Sequence, residues 1–177
     1  MLETNIPLVD TILGRFRHTI GNDFDGYRNH VYRMINFCFA LGNISDEERD
    51  KIVIAGCFHD IGIWTGNTFD YLSPSVRSAE EYLSAVALEH LADDVKFMID
   101  QHHKLRQIDR THALAELFRK GDLVDFSLGL VKFDLDPTFV REVKREFPNA
   151  GFHKRLVKLA GRWTCRHPLN PIPVLKW

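Results

Sequence analysis

The 177-residue sequence predicts an all-α fold, a compact helical bundle. Three observations carry the prediction. Apolar residues recur at helical spacing through nearly the whole chain. Helix start and stop signals punctuate that pattern. No convincing set of alternating strands interrupts it. With 45% hydrophobic residues the chain can close the core of one ordinary domain, read here as residues 1–177.

The elements follow in order. A first helix spans 7–20. A second runs over 25–41, where Gly42 offers a stop signal. Ser45 with Glu48 forms a capping box that opens a third helix toward residue 58. Residues 62–71, with Gly62, Gly66, Asn67 and Asp70, read as a loop. Ser73 before Pro74 reads as an N-cap with proline at the first helical position, so a fourth helix reaches about residue 89. Further helices are expected over 93–104, 110–128, 137–146 and 150–166. The tail HPLNPIPVLKW carries three prolines and is expected to be extended; its apolar residues could dock on the body or on a second chain, as in a homodimer.

Bulk properties narrow the function classes. Net charge is −1 with 27% charged residues, so neither a nucleic-acid polymer nor a membrane is the expected partner. No apolar run approaches the roughly 20 residues that span a bilayer. The start MLETNIPLVD lacks a basic region followed by an apolar one, so no signal peptide is read there. Cys38, Cys57 and Cys165 stand singly in or near apolar patterns, which suggests reduced buried thiols and a cytoplasmic home.

Polar residues on apolar faces are the main chemical signal. In the third helix Ile52, Ala55 and His59 share one line; Val53, Gly56 and Asp60 share the next. His30 shares its face with Tyr27, Met34, Phe37 and Leu41. Asp122 lies one turn after Phe118 and one turn before Phe126. His102 follows Val95, Met98 and Ile99, and His103 follows Ile99 on the adjacent line. A buried carboxylate without a partner costs several kcal/mol, so these positions require a cation or donors. Imidazole and carboxylate together suit first-row divalent metals such as Mn, Fe, Co, Ni or Zn. Each residue also has a plain structural reading. His30 could bond a backbone carbonyl in the core. Asp60 could cap the following turn. Asp122 could pair with Lys104 or Arg119. His102 and His103 could cap a helix C-terminus. His90, His112, His153 and His167 read as surface or helix-end residues.

Taken in order, His30, His59-Asp60 and Asp122 resemble the HD superfamily of helical metal-dependent phosphohydrolases. IVIAGCFHDIGIW is similar to the family's doublet helix, YRNHVYRMINFCFAL to its first-histidine helix, and FRKGDLVDFS to its last-aspartate helix. The resemblance covers residues 26–127 and leaves both flanks unmatched. It implies a core of five or more helices around one divalent metal ion, with His30, His59, Asp60 and Asp122 as ligands and Mg added to the eligible metals. His90 and the 102–103 pair fall where some members bind a second metal. One ion is the favoured reading, with His102 or His103 near the substrate.

The activity so implied is hydrolysis of a small phosphoester, with a nucleotide among the candidates, by attack of a metal-activated water. His102 or His103 would transfer a proton to the leaving group. Asp125, one turn beyond Asp122, could orient a ligand or the water, or could only form a salt bridge on the outside. Among Arg28, Arg33, Lys104, Arg106, Arg119 and Lys120, most read as solvated surface charges and one or two are expected to contact phosphate. The aromatic loop after the doublet, with Trp64, Phe69 and Tyr71, could stack on a base or a sugar. Two alternatives stand beside this activity: a di-iron oxygenase on the same scaffold, and a ligand-sensing module without turnover.

Overall fold

The computed structural model describes residues 1–170 and 173–174, and its regular elements are all helical. Nine α-helices occur among the described residues. They are α1 Pro7–Ile20, α2 Phe24–Leu41, α3 Asp46–Phe58, α4 Gly62–Thr65, α5 Leu72–Ala85, α6 Ala92–Gln101, α7 Ala113–Phe126, α8 Pro137–Glu146 and α9 Phe152–Arg166. Short 3₁₀ turns at Gly21–Asp23, Glu89–Leu91 and Arg110–His112 precede α2, α6 and α7.

The capping box at Ser45 is formed. The Glu48 backbone N–H donates to Ser45 Oγ, and the Ser45 N–H donates to Glu48 Oε2 at 2.8 Å. Asp136 likewise accepts from the Thr138 N–H at 2.7 Å and opens α8 where expected.

Besides shifts of up to three residues at the ends of α7 and the start of α9, four boundaries differ from expectation in an informative way. The segment read as a loop begins with the one-turn helix α4, too short to leave a periodic signal. α5 starts at Leu72 with Tyr71 as its cap, which puts Pro74 at the third helical position. Proline is tolerated there because a first-turn N–H has no intrahelical acceptor. α5 then ends at Ala85, four residues early, because Ala87 turns left-handed with φ 56°. α6 ends at Gln101, so the histidine pair lies just beyond its last turn.

α2 is the central helix, buried around nearly its whole circumference from Phe24 to Cys38. It packs most extensively along α7. Gly121 permits this close approach: a β-carbon there would collide with Sγ of Cys38 and lie 2.9 Å from the Met34 carbonyl. α3 packs on α1, α2, α5 and α6, while α8 and α9 cover α2 from the other side. One core cluster extends from Ile6 to Phe152. A smaller one gathers Ile63, Tyr71, Leu72 and Val174, so the described part of the tail docks an apolar side chain on the body. The rest of the expected extended tail, 171–172 and 175–177, lies outside the described residues. Residues 168–169 form a turn rather than an extended segment. Cys38 and Cys57 are buried free thiols as expected, but Cys165 is exposed on the outer face of α9. No helix among the described residues is long and apolar enough to cross a membrane.

Candidate metal centre

The inward polar residues of four helices meet at one point. α2 supplies His30, and α7 supplies Asp122 and Asp125. His59 and Asp60 follow the last turn of α3, and His102 follows the last turn of α6. All six are buried, with at most 5% exposure.

Local hydrogen bonds decide what the imidazoles present. His59 Nδ1 is 2.8 Å from the Gly56 carbonyl, and His102 Nδ1 is 2.6 Å from the Ile99 carbonyl. A carbonyl only accepts, so both rings carry their proton on Nδ1. Each thereby satisfies an orphan carbonyl at a helix end and turns Nε2 inward. His30 Nδ1 lies 2.7 Å from Asp125 Oδ2, which fixes the same tautomer.

The inward atoms are therefore nearly all acceptors. His30 Nε2 and His59 Nε2 stand 2.9 Å apart. Asp60 Oδ2 is 3.8 Å from the first and 3.5 Å from the second. Asp122 Oδ1 is 3.6 and 3.7 Å from them. Two lone pairs and two carboxylates facing one another repel unless a cation lies between them. Bonds of about 2.0–2.2 Å to one ion put neighbouring ligand atoms about 3–3.5 Å apart, close to the spacing found. Asp60 Oδ1 and His102 Nε2 are buried without a hydrogen-bond partner, 3.6 Å from each other. These orphaned atoms and the donor-poor cluster fit a divalent cation. His30, His59 and Asp122 could hold it, as could His59, Asp60 and His102.

The acid–base properties follow from this crowding. Burial pushes the His59 imidazole down to about 3, so it is neutral. Burial also raises the Asp122 carboxyl, to about 6. Burial acts the same way on Asp60, but His59, His102 and His30 together outweigh it and hold that carboxyl well below the usual range. Burial would lower His102, yet Asp60 and Asp122 hold it above an ordinary histidine. Burial, reinforced by neighbouring His102, keeps His103 well below one.

Asp125 stands behind His30. It pairs with buried Arg33 through Arg33 Nε to Oδ1 and through Nη2 to Oδ2 at 2.8 Å. Arg33 also donates to the Phe147 carbonyl at 3.0 Å, so this arginine is tied into the framework and does not reach the pocket. Arg28 is likewise committed, to Asp10 on the outer face. Arg119 chelates Glu116 with Nε and Nη2.

The cluster opens into a pocket of about 410 Å³. His103 lines it, with Nε2 2.6 Å from the Tyr71 hydroxyl. Lys104 also lines it, whereas Arg106 and Lys120 do not. Sequence reasoning missed the contribution of α9. Phe152 stacks on His30 with centroids 4.1 Å apart, and His153 Nε2 sits 3.1 Å from the Asp125 carbonyl. The amphipathic pattern of α9 marked an inward face but not what that face would cover. On the far side, the Tyr27 ring lies 6.3 Å from both His30 and His59. Trp64 packs on Tyr27 at 4.7 Å and donates its indole N–H to Asp23.

An all-helical bundle whose buried histidines and aspartates converge on a cation-sized gap defines a class of metal-site domains. Within that class the chain belongs to the HD-domain family, whose model matches residues 27–133. Members of this family are commonly metal-dependent hydrolases. Neither a curated protein nor a solved structure matches the chain.

Proposed function

We propose that the protein is a metal-dependent phosphohydrolase acting on a small phosphoester. The observation that carries this reading is the cluster at the base of the pocket, where Asp60 Oδ2 and Asp122 Oδ1 each lie within 3.8 Å of both His30 Nε2 and His59 Nε2. These four residues would be the ligands. A divalent cation there would polarise a phosphoryl oxygen and lower the pKa of a coordinated water toward about 7.

The chain's own residues do the rest. Asp125 holds His30 in its ligating tautomer and is itself anchored by Arg33. Lys104 meets the phosphoryl oxygens. His102, which lines the pocket with Nε2 3.6 Å from Asp60 Oδ1, would deliver a proton to the leaving oxygen. His103 and Tyr71 form a hydrogen-bonded pair on the pocket wall.

A specific observation favours a second reading. The two oxygens of Asp60 face different partners: Oδ2 turns to His30 and His59, Oδ1 to His102. That division suits a carboxylate bridging two ions, with His102 as a ligand and not a proton donor. A two-metal hydrolase or a di-iron oxygenase would follow.

Metal analysis with a phosphatase panel tests both. The first reading expects one divalent ion per chain, and expects His59→Ala and Asp60→Ala to lose metal and phosphate release together. Two ions per chain would replace it with the second, as a two-metal hydrolase if phosphate is released and as a di-iron oxygenase if the ions are iron and turnover depends on oxygen. Phosphate release that survives both substitutions would sink both.

A further inference from the structure

The pocket wall carries information about the substrate that the metal cluster does not. Its floor is charged and buried, but its sides are apolar. Phe152, Leu156 and Ala160 line it from α9, and Leu105, Phe126 and Val157 reach its rim. These three rim residues remain 52%, 55% and 72% exposed, and apolar side chains left open together at the mouth of a pocket mark a surface that a ligand covers. No Asn, Gln, Ser or Thr lines the pocket among the described residues. Lys104 is the only lining cation there outside an ion pair, since Arg119 is held by Glu116.

Charge and polarity then sort the possible phosphoesters. A phosphomonoester brings about two negative charges; with the ion's charge balanced by Asp60 and Asp122, its oxygens would be met by Lys104 and by the ion's remaining coordination positions. A nucleoside triphosphate brings roughly twice as many, and its outer phosphates would lie unpaired against leucine, valine and phenylalanine. A nucleoside also presents ring and sugar groups that need hydrogen-bond partners, and burying them without partners is costly. The volume of about 410 Å³ falls within the usual range for a small-molecule site.

The geometry points to a phosphomonoester of a predominantly apolar alcohol as the substrate, its phosphoryl group on the histidine–aspartate floor and its hydrocarbon body along α9. This rests on the hydrolytic reading above. The water oxygen bonds to phosphorus while the ester P–O bond breaks. The electron pair leaves on the alkyl oxygen, which takes a proton. The products are inorganic phosphate and the apolar alcohol, with water as the only co-reactant.

The test uses the full chain loaded with Mn²⁺. Phosphate release is measured for methyl, butyl, hexyl and octyl phosphate, adenosine monophosphate and adenosine triphosphate. Binding of the matching non-hydrolysable alkylphosphonates is measured by calorimetry. We expect kcat/KM and phosphonate affinity to rise about two- to fourfold for each methylene that the wall covers, and hexyl phosphate to exceed both nucleotides at least tenfold. Val157→Asp, at an exposed rim position that the fold tolerates, should flatten the chain-length dependence. A flat or falling series, or preference for a nucleotide, overturns the substrate class while leaving hydrolysis standing. Phosphonates that bind more tightly with length, without turnover of any ester, support the pocket assignment and remove the hydrolytic reading. Absence of phosphonate binding overturns the assignment.

Discussion

Replacing Asp125 with asparagine separates two jobs that one carboxylate performs. It accepts from His30 Nδ1 at 2.7 Å and neutralises Arg33, which is 2% exposed. Burial works against the Asp125 charge, but the bonds from His30 and Arg33 hold its carboxyl well below the usual range. In the Asp125→Asn variant the amide oxygen can still accept one hydrogen bond, but the charge is gone. Arg33 then becomes a buried cation without a counter-ion, which costs about 3–5 kcal/mol. His30 loses the partner that raises its basicity, an outer contact worth about 10–100-fold in metal affinity. Urea unfolding with EDTA present reads the first effect, and metal titration of the folded protein reads the second. Adding Arg33→Met to Asp125→Asn removes the stranded charge, so most of the stability should return while metal affinity stays weak. A single variant that loses less than about 1 kcal/mol, or a double variant that binds metal like the parent, would refute the two-job account.

The other predictions concern the cluster and its supports. Asp122→Asn should stabilise the metal-free protein at pH 7.5. Its carboxyl is raised from 3.8 to about 6, so ionising it there costs about 3 kcal/mol in the folded state, which urea unfolding would recover in whole or in part. For the parent without metal, the raised pKa makes this group's contribution more favourable as pH falls from about 6 toward 3.8; a stability curve of Asp122→Asn against the parent should show that difference shrink across the same window. Metal affinity should move the opposite way, weakening about tenfold per pH unit for each proton that binding displaces, because the ligands must be deprotonated; titrations from pH 8 to 5 would show it. Gly121→Ala should cost about 1–3 kcal/mol in thermal unfolding despite alanine's better helix propensity, because the new methyl meets Cys38 and the Met34 carbonyl. Ser45→Ala should cost about 1 kcal/mol by loss of the cap and leave metal content unchanged, since it lies far along α3 from the doublet.

Much of this architecture was legible because it is written in local spacing. The bounds of α1 and α8 follow directly from the helical period, and the capping box marks the start of α3. His30, Asp60 and Asp122 announced themselves as polar positions on apolar helix faces, and the structure brings them together. What stayed hidden depends on pairing between distant segments. Arg33 looked available to a phosphate, but Asp125, 92 residues later, claims it. Asp125 itself showed only that it lies one turn beyond Asp122, and nothing local tied it to His30. Phe152 reads as an ordinary inward aromatic until α9 folds back over α2. The end of α5 was overestimated because a left-handed residue such as Ala87, with φ 56°, leaves no composition signal when it is not glycine, and α6 stops at Gln101, where the His102 ring takes the Ile99 carbonyl.

Trp64 sits one ring away from the paired imidazoles, with Tyr27 between them at 4.7 Å. Its indole nitrogen is anchored to Asp23, so its orientation is held while its surroundings respond to the histidines. The chain thus carries its own optical reporter. Emission from Trp64 should change when an ion enters the cluster, and Trp64→Phe should abolish that change without emptying the site, which allows occupancy to be followed in real time without a label.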